Sequence, residues 1–442
     1  MHRTPFGHCL TPPYSVHPMT FTTLGFSPAC LAALQRVLDE KSYAVPTAIQ
    51  LAAIPAILAG RDVLASAQTG SGKTAAFALP LLQQLADAPA RPAGIAPRPV
   101  RALVLVPTRE LAAQVGEEIK NFGQHLAHKP KVSVLFGGVS INPQMLHLRG
   151  GADIVVATPG RLIDLLAHNA LTLGDVKTLV LDEADRMLDL GFGEELARIL
   201  KLLPSKRQSL FFSATFPPAI EALARAMLRE PQRIEVLADT PGALEIHQRA
   251  VEVDPSRRTQ LLRHMIQTEK WSRVLVFVGT KHAAEIVADK LRKADIEAEP
   301  FHGELSQGKR TQVLMDFKAK TVQVVVATDV ASRGIDIAEL PAVVNYDLPR
   351  SAVDYTHRIG RTGRAGQSGM AISFVSAVTE AHFKLIEKRH QISVAREQVA
   401  GFEPVEQAPV NAADPQGTGG IKGKRPSNKD KLRAAAAEKG NS

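Results

Sequence analysis

Short runs of consecutive apolar residues recur along the chain, separated by segments in which apolar residues return at helical spacing. Because the runs are continuous rather than alternating, they predict strands buried on both faces, as in a parallel sheet covered by helices. In the first half the runs occupy residues 101–106, 132–136, 153–157, 177–181 and 208–212. In the second half they occupy residues 274–278, 296–301, 322–327, 342–346 and 370–375. The pattern therefore predicts two successive α/β domains.

The apolar pattern breaks in three places, and these breaks predict the domain limits. Residues 237–244 contain a Pro-Gly pair and are predicted to be a linker between domain 1, residues 21–236, and domain 2, residues 245–402. Residues 1–20 and 403–442 are rich in polar residues, proline or glycine and lack periodicity. We expect both ends to be disordered.

A glycine-rich stretch, AQTGSGKT at residues 67–74, lies between an apolar run and a helix-prone segment. Strand, glycine-rich loop and helix in that order favour a loop that binds phosphate through inward N–H groups and the helix N-terminus. In such a loop Lys73 reaches the terminal phosphates and the Thr74 hydroxyl binds Mg²⁺. The first glycine of the general motif is replaced by alanine. The predicted nucleotide-binding residues here are Ala67, Gln68, Thr69, Gly70, Ser71, Gly72, Lys73 and Thr74.

Charge adds a second indication, because the 442-residue chain carries a formal net charge of +9. This value is compatible with a polyanionic partner and equally with a merely basic surface. Residues 421–442 contain seven Lys and Arg against two acidic residues. Such a tail either keeps the protein in solution or tethers it to nucleic acid.

Other features of composition point to the cytoplasm. Cys9 and Cys30 are the two cysteines, too few for a disulfide framework or a zinc site. No apolar run approaches the roughly 20 residues of a membrane span, and no secretion signal is recognisable at the start. Met19 precedes the first patterned segment, so we hypothesise that translation begins there.

An acidic tetrapeptide, DEAD at residues 182–185, follows the apolar run 177–181 about a hundred residues after the glycine-rich loop. Asp182 is predicted to hold Mg²⁺, through water, and Glu183 to orient and deprotonate the attacking water. The alternative is a helix N-terminus that is simply enriched in acidic residues.

A basic segment in the second half, HRIGRTGR at residues 357–364, offers candidate arginine fingers. Arg361 and Arg364 are three residues apart, so both can face one site and stabilise a phosphoryl group in transfer. The alternative is a basic surface stripe. If the arginines are catalytic, the site is complete only when the two domains close on each other.

Together these motifs resemble those of a DEAD-box RNA helicase of superfamily 2, and the resemblance covers about residues 21–400. The segments LDEADRMLDLGF and FFSATFP, with the basic tail, are most similar to the bacterial RhlE-type branch. The resemblance implies two tandem RecA-like domains, each a mostly parallel sheet flanked by helices. In chain order the matching motifs are PTAIQ (46–50), AQTGSGKT (67–74), PTREL (107–111), the Gly137-Gly138 pair, TPGR (158–161), DEAD (182–185), SAT (213–215), LVFVGT (275–280), Gln307 with Arg310, ATDVASRGID (327–336) and HRIGRTGR (357–364).

The resemblance also implies how the rest of ATP is held. Gln50 reads the adenine edge, a task suited to an amide that both donates and accepts hydrogen bonds. Asp336 contacts the ribose, and an upstream aromatic ring stacks on the base. Phe21 fits the local FxxLG signature, although its segment is about four residues longer than usual, roughly one helical turn. Phe26 fits the spacing better, and we favour Phe21.

For RNA, the resemblance implies contacts to phosphates and sugars rather than to base edges, so binding is expected to be largely independent of sequence. The 2′-hydroxyl then allows a preference for RNA over DNA. Ser213, Thr215 and His357 are expected to couple the ATP and RNA sites. The implied RNA contacts are Pro107, Thr108, Arg109, Gly138, Thr158, Pro159, Gly160, Arg161, Gln307, Arg310, Thr328 and Asp329.

The expected function is an ATPase stimulated by RNA that locally unwinds short RNA duplexes and remodels ribonucleoproteins, with ATP and Mg²⁺ as cofactors. The alternative is an RNA clamp or annealing factor gated by ATP that unwinds little in the cell. A DNA translocase is disfavoured by the Gln50 and DEAD signatures. Expected partners are RNA and factors of ribosome assembly or RNA degradation, around a monomeric core.

Overall fold

The computed structural model describes residues 20–40, 45–67, 71–88, 98–236, 246–332, 340–363 and 369–406. The linker predicted at 237–244 and most of both predicted disordered ends lie outside these residues. Five predicted site residues also lie outside them: Gln68, Thr69, Gly70, Asp336 and Arg364. In the described part of the chain, no helix combines the length and hydropathy needed to span a bilayer.

The first half forms a sheet of seven parallel strands in the order β3-β4-β2-β5-β6-β1-β7. All five predicted runs form strands in it, as does the run before the glycine-rich loop. The strand nearest the linker was not predicted, because Ile234 is its one buried residue and no apolar run marks it. The strands are β1 Val63–Ser66, β2 Ala102–Leu105, β3 Val132–Leu135, β4 Ile154–Ala157, β5 Thr178–Leu181, β6 Gln208–Ser213 and β7 Gln232–Glu235.

Helices cover both faces of this sheet, and successive strand residues contribute to opposite cores. Val104 packs with the first four helices, whereas Leu103 and Leu105 pack with the later ones. The two hydrophobic cores explain why the strands are apolar throughout. The helices are α1 Pro28–Glu40, α2 Ala48–Leu58, α3 Lys73–Ala86, α4 Arg109–Phe122, α5 Asn142–Leu148, α6 Pro159–Ala167, α7 Ala184–Asp189, α8 Gly193–Leu202 and α9 Pro218–Met227, preceded by a 3-10 turn at Phe21–Thr23.

The second half repeats the design, with seven parallel strands in the order β10-β11-β9-β12-β13-β8-β14. Two of these, β8 and β14, have mixed polar sequences and were not predicted. The strands are β8 Ile246–Glu252, β9 Val274–Val278, β10 Ala298–Phe301, β11 Val324–Thr328, β12 Ala342–Asn345, β13 Gly369–Val375 and β14 Arg396–Glu397. The helices are α10 Arg258–Glu269, α11 Lys281–Arg292, α12 Gln307–Lys318, α13 Asp329–Ser332, α14 Ala352–Ile359 and α15 Glu380–His390, with a 3-10 turn at Pro255–Arg257.

The predicted fold class, two parallel sheets flanked by helices, is thereby confirmed. Parallel strands place all their carboxyl ends along one edge of a sheet, and functional residues gather at that edge. In the first sheet the glycine-rich loop and the DEAD segment both leave strands there. The exact domain limits remain a prediction.

Candidate active site between the two sheets

The lysine of the glycine-rich loop hydrogen-bonds back to the backbone of the same loop. Gly72 precedes α3 with a left-handed φ of +89°, a conformation that glycine adopts without strain. Lys73 is the first residue of α3, and its buried Nζ donates to the Ala67 carbonyl oxygen at 2.9 Å. Thr74 is half-buried beside it. The predicted phosphate-binding residues Lys73 and Thr74 therefore stand at the N-terminus of a 14-residue helix, where anions bind well.

Gln50 connects α2 to this loop through both ends of its amide. Its Oε1 accepts from the Thr47 N–H at 3.0 Å, and its Nε2 donates to the Gly72 carbonyl oxygen at 3.1 Å. A Cβ at position 72 would lie 2.5 Å from Nε2, so a side chain there would displace the Gln50 amide. Sequence reasoning missed this bracing role; one N–H and one lone pair of the amide remain for the predicted adenine contact.

Phe21 and Phe26, the two candidates for stacking on adenine, are both buried in the core formed by α1 to α4. Phe21 opens the 3-10 turn that precedes α1. The choice between the two rings stays a prediction.

The DEAD segment leaves β5 into a buried acidic cluster. Asp182 is buried, and its Oδ1 accepts from the Glu183 N–H at 3.0 Å. Burial raises the pKa of Asp182 to about 7, an effect that Lys73 opposes and Glu183 and Asp185 reinforce. Glu183 has a left-handed φ of +50°, a conformation that is uncommon for a non-glycine residue at a helix N-cap.

These residues fit Mg²⁺ bound together with a nucleotide. Within the described residues, no cluster of three or more His, Cys, Asp or Glu is arranged to hold a metal. Mg²⁺ rarely needs such a cluster, since it is usually held by one or two carboxylates plus phosphates and water. Asp182 supplies a buried carboxylate whose negative charge is only partly compensated by Lys73. The Thr74 hydroxyl supplies a second oxygen ligand.

Asp185, the last residue of the DEAD segment, is bound to the predicted coupling residues. Its Oδ2 accepts from Thr215 N at 3.1 Å and from Thr215 Oγ1 at 2.8 Å. Its own N–H donates to Ser213 Oγ at 3.3 Å, and that hydroxyl donates to the Thr215 carbonyl oxygen at 2.8 Å. Ser213 and Thr215 are thus tied directly to the acidic cluster.

α14 of the second half carries His357 to the acidic cluster of the first half. Burial lowers the pKa of His357, and the charges of Glu183 and Asp185 act against that shift. The charges of Arg361 and Lys73 reinforce it, so all four residues lie within electrostatic reach of the imidazole. Residues from both halves therefore meet at one site, as the arginine-finger hypothesis requires.

Arg358, between His357 and Arg361, has a different environment. Its Nε and Nη2 donate to the two carboxylate oxygens of Asp329 at 2.6 and 2.7 Å, and Nη1 donates to Asn345 Oδ1 and the Asp347 carbonyl oxygen. Asp329, predicted to bind RNA, is therefore engaged inside the second half by a bidentate pair. Its RNA contact stays a prediction, and the structure adds a packing role that the sequence did not indicate.

The implied RNA contacts of the first half do come together at the carboxyl edge of β3 and β4. Arg109 lies so close to Gly138 that a Cβ there would be 2.6 Å from its Nη1. Arg161 is buried and donates to the Val139 carbonyl oxygen at 2.6 Å. Among the described residues, no acceptor meets its Nε and Nη1. Pro107, Thr158, Pro159 and Gly160 lie in the adjoining segments, and Thr108 caps α4 by accepting from Leu111 N.

Arg310 joins the two halves. Its Nη2 lies 2.8 Å from Glu110 Oε1, and it also donates to the Ala331 carbonyl oxygen at 3.2 Å. Glu110 lies within the PTREL motif but was not among the predicted site residues. Gln307 begins α12 one turn earlier, and Thr328 ends β11. Arg310 thus acts as an interdomain contact in this structure, and its RNA contact stays a prediction.

Comparison with known proteins places these features in a family. A family model described as DEAD/DEAH box helicase matches residues 47–223, and one described as helicase conserved C-terminal domain matches residues 257–366. The ATP-dependent RNA helicase DeaD of Mycobacterium tuberculosis is 41% identical over 386 residues, covering 87% of this chain and 66% of that protein. The ATP-dependent rRNA helicase rrp3 of Sclerotinia sclerotiorum is 38% identical over 413 residues, covering 90% of this chain and 84% of that protein.

A solved structure matches both halves at once. Saccharomyces cerevisiae Dbp5 bound to RNA and ADP BeF3 is 31% identical, with a TM-score of 0.74, over 86% of this chain and 95% of that chain. This likeness confirms the predicted pair of RecA-like domains. The chain spans about two thirds of the length of its mycobacterial relative, 66%.

Proposed function

Because the chain belongs to the DEAD/DEAH box helicase family, we propose that it is an RNA-stimulated ATPase that separates short RNA duplexes. One observation carries the proposal: the two halves meet at this site, where Arg310 Nη2 of the second lies 2.8 Å from Glu110 Oε1 of the first and the charges of Glu183 and Lys73 act on His357. An ATP site shared between two domains can respond to RNA that bridges the same domains.

On the ATP side, Lys73 holds the terminal phosphates and Glu183 orients a water molecule and takes its proton. The water oxygen bonds to the terminal phosphorus as the bond to ADP breaks, and inorganic phosphate leaves. Arg361 and Arg364 stabilise the negative charge of the phosphoryl group in transfer. When bound, Mg²⁺ neutralises part of the phosphate charge. Gln50 and Asp336 hold adenine and ribose.

On the RNA side, the predicted contact residues of both halves grip one strand by its phosphates and sugars. ATP and RNA both favour the closed pair of domains, so each increases the affinity for the other by the same factor. When the bound RNA strand is bent, it no longer matches the geometry of the duplex, so the complementary strand is released. Hydrolysis and phosphate loss reopen the cleft, with Asp185, Thr215 and Ser213 linking the two sites.

The test is ATP turnover with and without RNA in Lys73→Ala and Glu183→Gln. Loss of the general base costs on the order of 10²- to 10⁴-fold, so we expect stimulated turnover to fall at least that far in Glu183→Gln and to vanish in Lys73→Ala. Lys201→Ala and Glu194→Gln, exposed residues of α8, are matched controls. Near-parental turnover in either site variant would refute the assignment.

The clamp alternative needs the same closed state and is separated by a different assay. Displacement of a short RNA strand is measured with ATP and with a non-hydrolysable analogue. A helicase displaces strands over repeated cycles with ATP, whereas a clamp only retains the RNA. We further propose membership of the RhlE-type branch, a cytoplasmic location and a monomeric core, with partners in ribosome assembly or RNA degradation.

A further inference from the structure

A buried arginine directly after the DEAD segment meets a carboxylate of the other half. Arg186 Nη1 on α7 lies 3.7 Å from Asp354 Oδ1 on α14, the helix that carries His357. The Arg186 side chain is 3% exposed and that of Asp354 is 17% exposed. Neither residue belongs to the sites described above.

Burial removes water from the Arg186 guanidinium, and the surrounding polar groups only partly replace the lost hydrogen bonds. Among the described residues, no hydrogen-bond acceptor meets its Nε and Nη2. A buried charge is tolerated when an opposite charge compensates for lost hydration. Because Asp354 belongs to the second half, its contribution to this compensation is lost when α14 separates from α7.

Without the arginine, closure would bring like charges together. Burial and the charges of Asp185 and Asp354 raise the pKa of Asp189, so Asp354 lies within electrostatic reach of Asp189. Arg186 is the cation that α7 places among these three carboxylates, and its backbone N–H donates to Asp185 Oδ1 at 2.9 Å. The pair therefore converts a repulsive approach into an attractive one.

Asp354 is held ready for this contact before closure. Ser351 caps α14: its Oγ accepts from Asp354 N at 3.1 Å and donates to Asp354 Oδ2 at 2.9 Å. The other carboxylate oxygen, Oδ1, is the one that faces Arg186. Asp354 and His357 are three residues apart on α14, so they share one face of the helix.

We propose that the Arg186–Asp354 ion pair holds the two domains in the closed arrangement and positions α14, and with it His357 and Arg361, over Glu183. Arg186 and Asp354 are positioning residues, because they affect the reaction only through the placement of α14. The inference rests on the proposed function, because one of its tests measures ATP turnover. It adds the contact that sets the equilibrium between the open and closed arrangements of the two domains.

The test compares Asp354→Asn with Ser351→Ala. Asp354→Asn keeps the shape and the capping N–H but removes the charge, so we expect the RNA concentration for half-maximal ATP turnover to rise by about tenfold or more. Turnover at saturating RNA should change by less than about threefold, because RNA then drives closure. Ser351→Ala removes the cap and its hold on Asp354 but keeps the charge, so the half-saturating RNA concentration should rise by less than about threefold.

A double-mutant cycle separates a direct pair from two independent defects. If the pair acts as a unit, Arg186→Met with Asp354→Asn should require no more RNA than the worse single variant. Multiplying effects, or unchanged half-saturation in Asp354→Asn, would overturn the proposal. A loss in Ser351→Ala equal to that in Asp354→Asn would also overturn it, since capping alone would then explain the effect.

Closure itself is measured without hydrolysis. Dyes are attached through Leu146→Cys and Val378→Cys, positions that are 60% and 63% exposed on the two halves, in a Cys9→Ser background where Cys30 is buried. Energy transfer is recorded on adding adenylyl imidodiphosphate and poly(U). Asp354→Asn should need about tenfold more poly(U) for the same change. This measurement tests the ion pair independently of the proposed ATPase activity, because it does not require ATP hydrolysis.

Discussion

At the scale of single residues, neighbouring arginines in the HRIGRTGR segment have different roles. Arg358 is buried, donates to Asp329 through two nitrogens and stacks over the Phe277 ring at 4.9 Å. Arg361 lies within electrostatic reach of His357 at the interdomain site. Sequence spacing alone does not distinguish a packing arginine from a catalytic one.

Replacing each arginine by methionine should separate these roles. Arg358→Met removes the buried guanidinium that donates two hydrogen bonds to the half-buried Asp329 carboxylate, so the free energy of unfolding should fall by about 2 kcal/mol. Arg361→Met should keep parental stability and lose about 10³-fold in RNA-stimulated kcat. Denaturant titrations and steady-state kinetics measure the two effects. A stable but inactive Arg358→Met would contradict this division.

At the scale of elements, the short strand β14 depends on one side chain more than on its ladder. Arg396 donates to Glu380 Oε2 and Oε1 at 3.1 and 3.0 Å and to both carboxylate oxygens of Glu387 at 2.9 and 2.8 Å, which joins β14 to α15. The Arg396 guanidinium holds the pKa of the Glu387 carboxyl below its usual range. Two residues of parallel pairing to β8 could not hold the strand alone.

Arg396→Met should therefore lower stability in a manner that depends on pH. A depressed carboxyl pKa stabilises the fold above the unfolded pKa of about 4.3 and loses that effect as pH falls through the folded pKa. We expect a deficit of about 2 kcal/mol at pH 7 that shrinks towards pH 3. Urea titrations of parent and variant from pH 3 to 7 test this. A deficit independent of pH would mean that the arginine acts through packing alone.

At the scale of the whole molecule, a buried carboxylate of the second half holds the segment that precedes the basic tail in sequence. The buried carboxylate of Asp254 accepts from the backbone N–H groups of Val405 and Glu406 at 2.9 and 3.1 Å. Asp254 follows the carboxyl end of β8, the same edge of the sheet at which Thr328 ends β11. The segment up to residue 406 is therefore bound to the second half, and the domain limit at residue 402 stays a prediction.

This anchor guides a truncation test of the tail. Ending the chain after residue 406 should keep parental stability and basal ATPase while weakening RNA binding and flattening its salt dependence, if the tail is a tether. Ending it after 402 should additionally cost about 2 kcal/mol, because Asp254 loses two charge-assisted hydrogen bonds. Filter binding from 50 to 200 mM salt measures the slope. An unchanged slope would leave the tail with a solubilising role.

The prediction of strands from sequence succeeded wherever burial on both faces leaves an apolar run. It failed for β7, β8 and β14, which lie at or beside sheet edges and carry polar residues such as Gln232, His247 and Arg396. Their pairing partners, rather than their own composition, make them strands.

The sequence by itself determined the site's inventory: Lys73 and Thr74 in the loop, the acidic pair after β5, and basic fingers in the second half. These are local patterns, because a phosphate loop or a strand ending in carboxylates needs only adjacent residues to be recognised. The tertiary structure decided which of them meet. Glu110 with Arg310, Asp185 with Thr215, and Arg186 with Asp354 are pairs distant in sequence, and no local periodicity encodes the packing of one sheet's carboxyl edge against another.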